Sequence, residues 1–152
     1  MSSLADAFPE EERQRFAAEN LVIGTVIKTF VADTNPPKEK RLVIMGESFD
    51  HISLATIYIN TDLNLKVFPT QELQDLNPEF LAAGRDYLEH DSHVDCTALH
   101  IMPKQQLNNI IGTDPGRVLG NLSADDLKQL RDLIKSAKTI KPSLKKTYGL
   151  FL

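Results

Sequence analysis

The sequence predicts one mixed α+β domain, mainly β, with a helix before the strands and an amphipathic helix after them. Three observations carry this. Apolar runs rich in β-branched residues recur between Leu21 and Asn60, the composition of sheet strands. Further on, Leu127, Leu130, Leu133, Ile134 and Ala137 recur at helical spacing behind a capping residue. With 152 residues, 41% of them hydrophobic and 25% charged, the chain can bury one sizeable core but not two. Residues 1–20 are therefore expected to form an N-terminal helical extension, and 21–152 a single domain.

The elements follow in order. Proline suits a first helical turn and acidic residues suit the positive end of the dipole, so PEEERQRFAAENL, from Pro9, reads as a short helix. LVIGTVIKTFV, Leu21 to Val31, reads as a buried strand interrupted by Gly24. The paired prolines of ADTNPPKEK forbid regular pairing and make that segment a loop. RLVIMG and HISLATIYIN supply two further strands, and LKVFP is a candidate fourth. Residues 69–92, punctuated by Pro69, Pro78 and Gly84, read as a long excursion with one helical turn near Pro78 to Ala83.

Val94 to Ile101 alternates as a strand. That places Val94, Cys96, Ala98 and His100 on one face, with His93, Asp95, Thr97 and Leu99 on the other. PKQQLNNIIG opens on Pro103 and closes on Gly112, as a short helix does. GRVLGNL is a last strand of the same sheet and leads to the amphipathic helix, where Ser123 followed by Asp126 resembles a capping box. Lys135 and Lys138 suit that helix's negative end. The tail KPSLKKTYGLFL is open between a strand, a partner-binding arm and disorder.

The net charge of −4 conceals a split. Residues 101–152 hold 9 Lys/Arg against 4 Asp/Glu, and residues 1–100 hold 8 against 17. A cationic last third suits a polyanion or an acidic partner segment, while the average acidity argues against a general nucleic-acid coat. No apolar run approaches the roughly 20 residues that cross a bilayer, and MSSLADAFPEEERQR lacks the pattern of a secretory signal, so a cytoplasmic location is expected.

His90 to His100, HDSHVDCTALH, holds three of the four histidines and the single cysteine. Histidine beside carboxylates suits proton transfer, phosphate binding or metal ligation. A zinc site would draw on His90, His93, Cys96 and His100, but their spacing is not that of a finger and strand alternation separates His93 from His100. No metal and no cofactor are expected. Cys96, inward beside Val94 and Ala98, reads as a packed thiol and not a nucleophile. GTDPG lacks the lysine of a phosphate loop and reads as a turn. Lys38-Glu39-Lys40-Arg41 places a guanidinium at the start of a strand, positioned to clamp a phosphate.

The order LVIGTVIKTF, NPPKEKRLVIMG, LATIYINTD, HDSHVDCTALHIMPKQQL, VLGNLSADDLKQLRDLI resembles that of the MazF/PemK/Kid toxin family, over roughly Leu21 to Ala137. The resemblance implies an SH3-like, partly open β-barrel with a C-terminal helix. It implies a homodimer that cuts single-stranded RNA without metal and is inhibited by the acidic or disordered tail of an antitoxin. The family's arginine falls on Arg41 and its strand-end Thr or Ser on Thr61, with Asn60 the alternative. The chain departs from the family at Leu42, where proline is usual, and at Thr25, where an acidic residue is usual. Arg41 would stabilise charge on the phosphate and Thr61 would hydrogen-bond its oxygen. The general base is open among His51, Asp62, His93 and His100. The expected site is then Arg41, Thr61 and His100 as catalytic residues, with Lys40, Asn60 and His93 binding substrate. The alternative is the same barrel as a non-catalytic module that binds a peptide or nucleic acid.

Overall fold

Apolar side chains on both faces drive three strands into the middle of one antiparallel sheet: β1 (Thr25–Val31), β2 (Lys38–Glu47) and β3 (Ser53–Asn60). The computed structural model describes residues 10–31 and 38–151. Pro9, Asn35 and the paired prolines 36 and 37 lie outside the described residues. The remaining elements are α1 (Glu10–Asn20), α2 (Gln71–Asp75), β4 (Glu79–Phe80), β5 (Ser92–Val94), β6 (His100–Pro103), α3 (Lys104–Thr113), β7 (Val118–Asn121), α4 (Ala124–Ser136) and α5 (Pro142–Thr147). The sheet runs β4-β5-β3-β2-β1-β7 with β6 also on β3, and it curls into a half-barrel.

Alternation sends successive side chains to opposite faces, and each face has its own core. Ile27, Val31, Leu42, Ile44, Leu54 and Tyr58 meet Leu107 and Ile111 of α3. Val26, Val43, Met45, Ala55, Ile57 and Ile59 meet Leu130 and Ile134 of α4, with Tyr148 and Leu150 beyond α5. We call these the α3 face and the α4 face. Helix α1 lies against α3.

Five local expectations are corrected. The first strand begins at Thr25, because Leu21 to Gly24 turn, with Gly24 at φ 96° and the Thr25 amide donating to Val22 O at 3.1 Å. The second begins at Lys38, so Lys38 to Lys40 belong to a strand and not to the preceding loop. LKVFP is a turn: Val67 and Phe68 amides both donate to Asn64 O, and Leu65 and Val67 stay exposed. The helical turn of the excursion falls at α2, capped by Thr70, and Glu79–Phe80 is strand β4.

The expected strand from Val94 to Ile101 is two strands on one edge of β3. Val94 pairs with Ile59 and His100 with Thr56, so five residues, 95–99, stand opposite two, 57 and 58. The Asp95 carboxylate makes this bulge, accepting from the Thr97 amide at 2.8 Å and from its hydroxyl at 2.5 Å. The tail is neither a strand, an arm nor disordered between Pro142 and Phe151: α5 packs on the α4 face and Leu150 is buried. Among the described residues, no helix is long and apolar enough to cross a membrane.

Candidate functional site

The start of β2, the end of β3 and β5 meet at one end of the sheet, and five of the six residues expected to form the site lie there. Lys40 Nζ donates to Asn60 Oδ1 across the β2–β3 pair, and Asn60 is in register with His93 of β5. Side chains opposite one another in register share a face, so Lys40, Asn60 and His93 form a row on the α3 face. His93 Nδ1 lies 3.2 Å from the backbone oxygen of Asn77.

His100 joins that row through Tyr58. Their rings stack with centroids 3.7 Å apart and planes 3° from parallel, and Lys40 Nζ lies 5.9 Å from the Tyr58 centroid. The stack lines a groove of about 400 Å³ together with Thr29, Leu99, Met102 and Gln106. Cation, amide and imidazole thus follow one another along a single surface. Lys40 and Asn60 are held by strands whose opposite side chains include Val43 and Ile59 of the core, whereas His100 is held by β6, where Ile101 on the other face stays exposed.

Arg41 faces the other way. Strand parity puts it on the α4 face with Val43, opposite Ile59 and, across β1, opposite Lys28. Its Nε donates to the backbone oxygen of Tyr87 at 3.0 Å, and its Nη2 lies 3.2 Å from Glu89 Oε1. Thr61 is exposed in the bend just past β3, beyond the paired β2–β3 register. The structure therefore groups Lys40, Asn60, His93 and His100 on one face and puts Arg41 on the other, with Thr61 in the bend at the end of β3. Arg41 and His100 do not meet at one point.

Around Arg41 the charges alternate. Lys28 lies 3.7 Å from Glu39, and Arg117 reaches Glu39 at 3.1 Å. Hydrogen bonding from Arg117 holds the Glu39 carboxyl below its ordinary range, against a smaller effect of desolvation. Tyr87 is anchored below. Burial pushes its phenol up to about 12, and its buried hydroxyl has no hydrogen-bond partner among the described residues. The hydroxyl lies beside the Arg85–Asp126 pair without meeting hydrogen-bond geometry to either.

Of the other candidates, His51 is at the far end of β2, on Glu47, in a hairpin where its φ is 62°. Cys96 is fully buried, and desolvation raises its thiol well above the ordinary value. Among the described residues, no group of three His, Cys, Asp or Glu side chains is placed to hold a metal ion. Sequence reasoning missed Tyr58, Tyr87 and Glu89. Tyr58 was within reach, since it stands two residues before Asn60 and so shares its face. Tyr87 and Glu89 carry no periodic signal in an irregular segment.

The class of protein defined by this geometry is an antiparallel half-barrel with a polar, cation-bearing strand end. No family model matches the chain, and no curated protein matches it.

Proposed function

We propose that this chain is a toxin-like, SH3-like half-barrel that cleaves single-stranded RNA at the strand end, with the α3 face as the reacting side. One observation carries the reading: Lys40, Asn60 and the Tyr58–His100 stack form a continuous line beside a groove. A base that stacks near the aromatic pair brings its ribose toward the imidazole. His100 then takes the proton of the ribose 2′-hydroxyl, whose oxygen attacks the adjacent phosphorus. The 5′-oxygen of the next nucleotide leaves and takes up a proton, giving a 2′,3′-cyclic phosphate. Lys40 stabilises the charge that develops on the phosphate oxygens, and Asn60 holds the Lys40 ammonium in place. Arg41 and Thr61, across the edge, hold a neighbouring phosphate. The reading keeps the expected homodimer, an antitoxin whose tail covers the strand end, a cytoplasmic location and a reaction without cofactor.

The test is cleavage of mixed-sequence single-stranded RNA in the presence of a chelator. We expect cyclic-phosphate ends by mass spectrometry, a loss of about 10²-fold or more in His100→Ala, and a smaller loss in Lys40→Ala. Undiminished cutting by His100→Ala sinks the assignment of the base. A second reading has its own observation: Arg41 is already engaged by Tyr87 and Glu89, as in a module that binds an anionic partner without reacting. Binding of RNA with no cutting across varied sequences establishes that alternative.

A further inference from the structure

We propose that Glu89 is the resident anion of a phosphate-binding site on the α4 face, occupying Arg41 until a phosphate group takes its place. This deepens the reading above, on which the phosphate comes from a nucleic-acid backbone.

Three observations converge. First, the guanidinium is aimed by its Nε bond to Tyr87 O, which leaves its outer edge for Glu89 at 3.2 Å. A carboxylate and a phosphate match that planar fork in the same way, so one can substitute for the other. Second, the two partners differ in how firmly they are held. Tyr87 and Leu88 are buried, Arg85 forks onto Asp126 at 2.9 and 3.0 Å, and Asp91 accepts from the Ala82 amide at 2.8 Å. The Glu89 side chain, by contrast, is 68% exposed. Its carboxylate can swing into solvent with no movement of the segment that carries it, and an ion pair so exposed is weak.

Third, Lys28 stands directly opposite Arg41 in the β1–β2 register. Like charges facing each other across a strand pair are unfavourable unless an anion lies near both. Glu39 serves Lys28 and Arg117, whereas Glu89 pairs with Arg41. A phosphate has more acceptor oxygens than a carboxylate and can bridge Arg41 and Lys28 together. The exchange therefore replaces a single contact with a shared one, and Glu89 sets the threshold at which it occurs.

The experiment follows the Arg41 Nε–Hε resonance by NMR during titration with inorganic phosphate, assigned by its disappearance in Arg41→Lys. In Glu89→Gln we expect the midpoint to fall by about two- to fivefold, the range an exposed ion pair supports. Glu72→Gln, which removes the same charge from α2, leaves the midpoint in place. Equal midpoints in wild type and Glu89→Gln, or no response in either, overturn the proposal. A parallel titration with single-stranded RNA separates the two readings. If phosphate responds and RNA does not, the nucleic-acid reading falls while the resident-anion site stands.

Discussion

Asp126 is three residues past the cap of α4, where a capping box would turn its carboxylate back toward Ser123. Only half of that motif forms. The Ser123 hydroxyl accepts from the Asp126 amide at 3.1 Å, but the carboxylate is taken by both forks of Arg85. That hydrogen bonding, ahead of an opposing desolvation, holds the Asp126 carboxyl below its ordinary 3.8. The folded state thus binds fewer protons than the unfolded chain in the acid range. The stability that Asp126 contributes is complete above its unfolded value and is lost as pH falls through the depressed one. Asp126→Asn should cost about 1–3 kcal/mol at neutral pH in denaturant unfolding, with the difference from wild type shrinking as pH falls below 3.8. A penalty independent of pH removes the ionised pair as its cause. Lys145 shows the opposite economy of contacts: buried, it donates to Lys135 O and Ala137 O at 2.8 Å each and closes the C-terminal end of α4.

The strands were legible in the sequence wherever a run of apolar residues had a single interpretation. β1, β2, β3 and β7 lie near their expected places, and α3 and α4 came from caps and spacing. What could not be read was anything set by pairing between strands. The bulge at 95–99 depends on Asp95 folding back on Thr97, and it divides an alternation that looks continuous in sequence. The site shows the same limit. Lys40 and Arg41 are neighbours in sequence, and only strand parity reveals that they serve opposite faces. Beside a second bulge on β2, between Ile44 and Gly46, the approach of Tyr148 depends on a missing side chain. A Cβ on Gly46 would lie 2.5 Å from Tyr148 O and 2.9 Å from Tyr148 Cβ. Gly46→Ala must push the residues after α5 away from the sheet, and we expect a loss of about 1–3 kcal/mol by thermal or denaturant unfolding. An unchanged midpoint would show that the segment yields freely.

Over the whole molecule, ion pairs tie the two parts of the sequence together. Arg117 meets Glu39, Lys104 meets Glu47 at 2.8 Å, and Asp126 meets Arg85, each pair linking the last third to the first hundred residues. The sheet is covered on both sides, so β2 and β3, with strands on either edge and a core on either face, are the most enclosed backbone. Amide hydrogen exchange should be slowest there and faster in α1 and residues 61–70, whose described side chains are mostly exposed. Equal protection across these regions contradicts that hierarchy. The contact of Tyr148 with Gly46, together with the 2.9 Å hydrogen bond between Tyr148 Oη and Ser53 Oγ, joins positions 95 and more residues apart. On the ribosome, β2 and β3 emerge long before the residue that seals them. The half-barrel must wait with its α4 face incompletely covered until synthesis has passed Leu150, so its final closure is timed by the residues after α5 and not by the strands themselves.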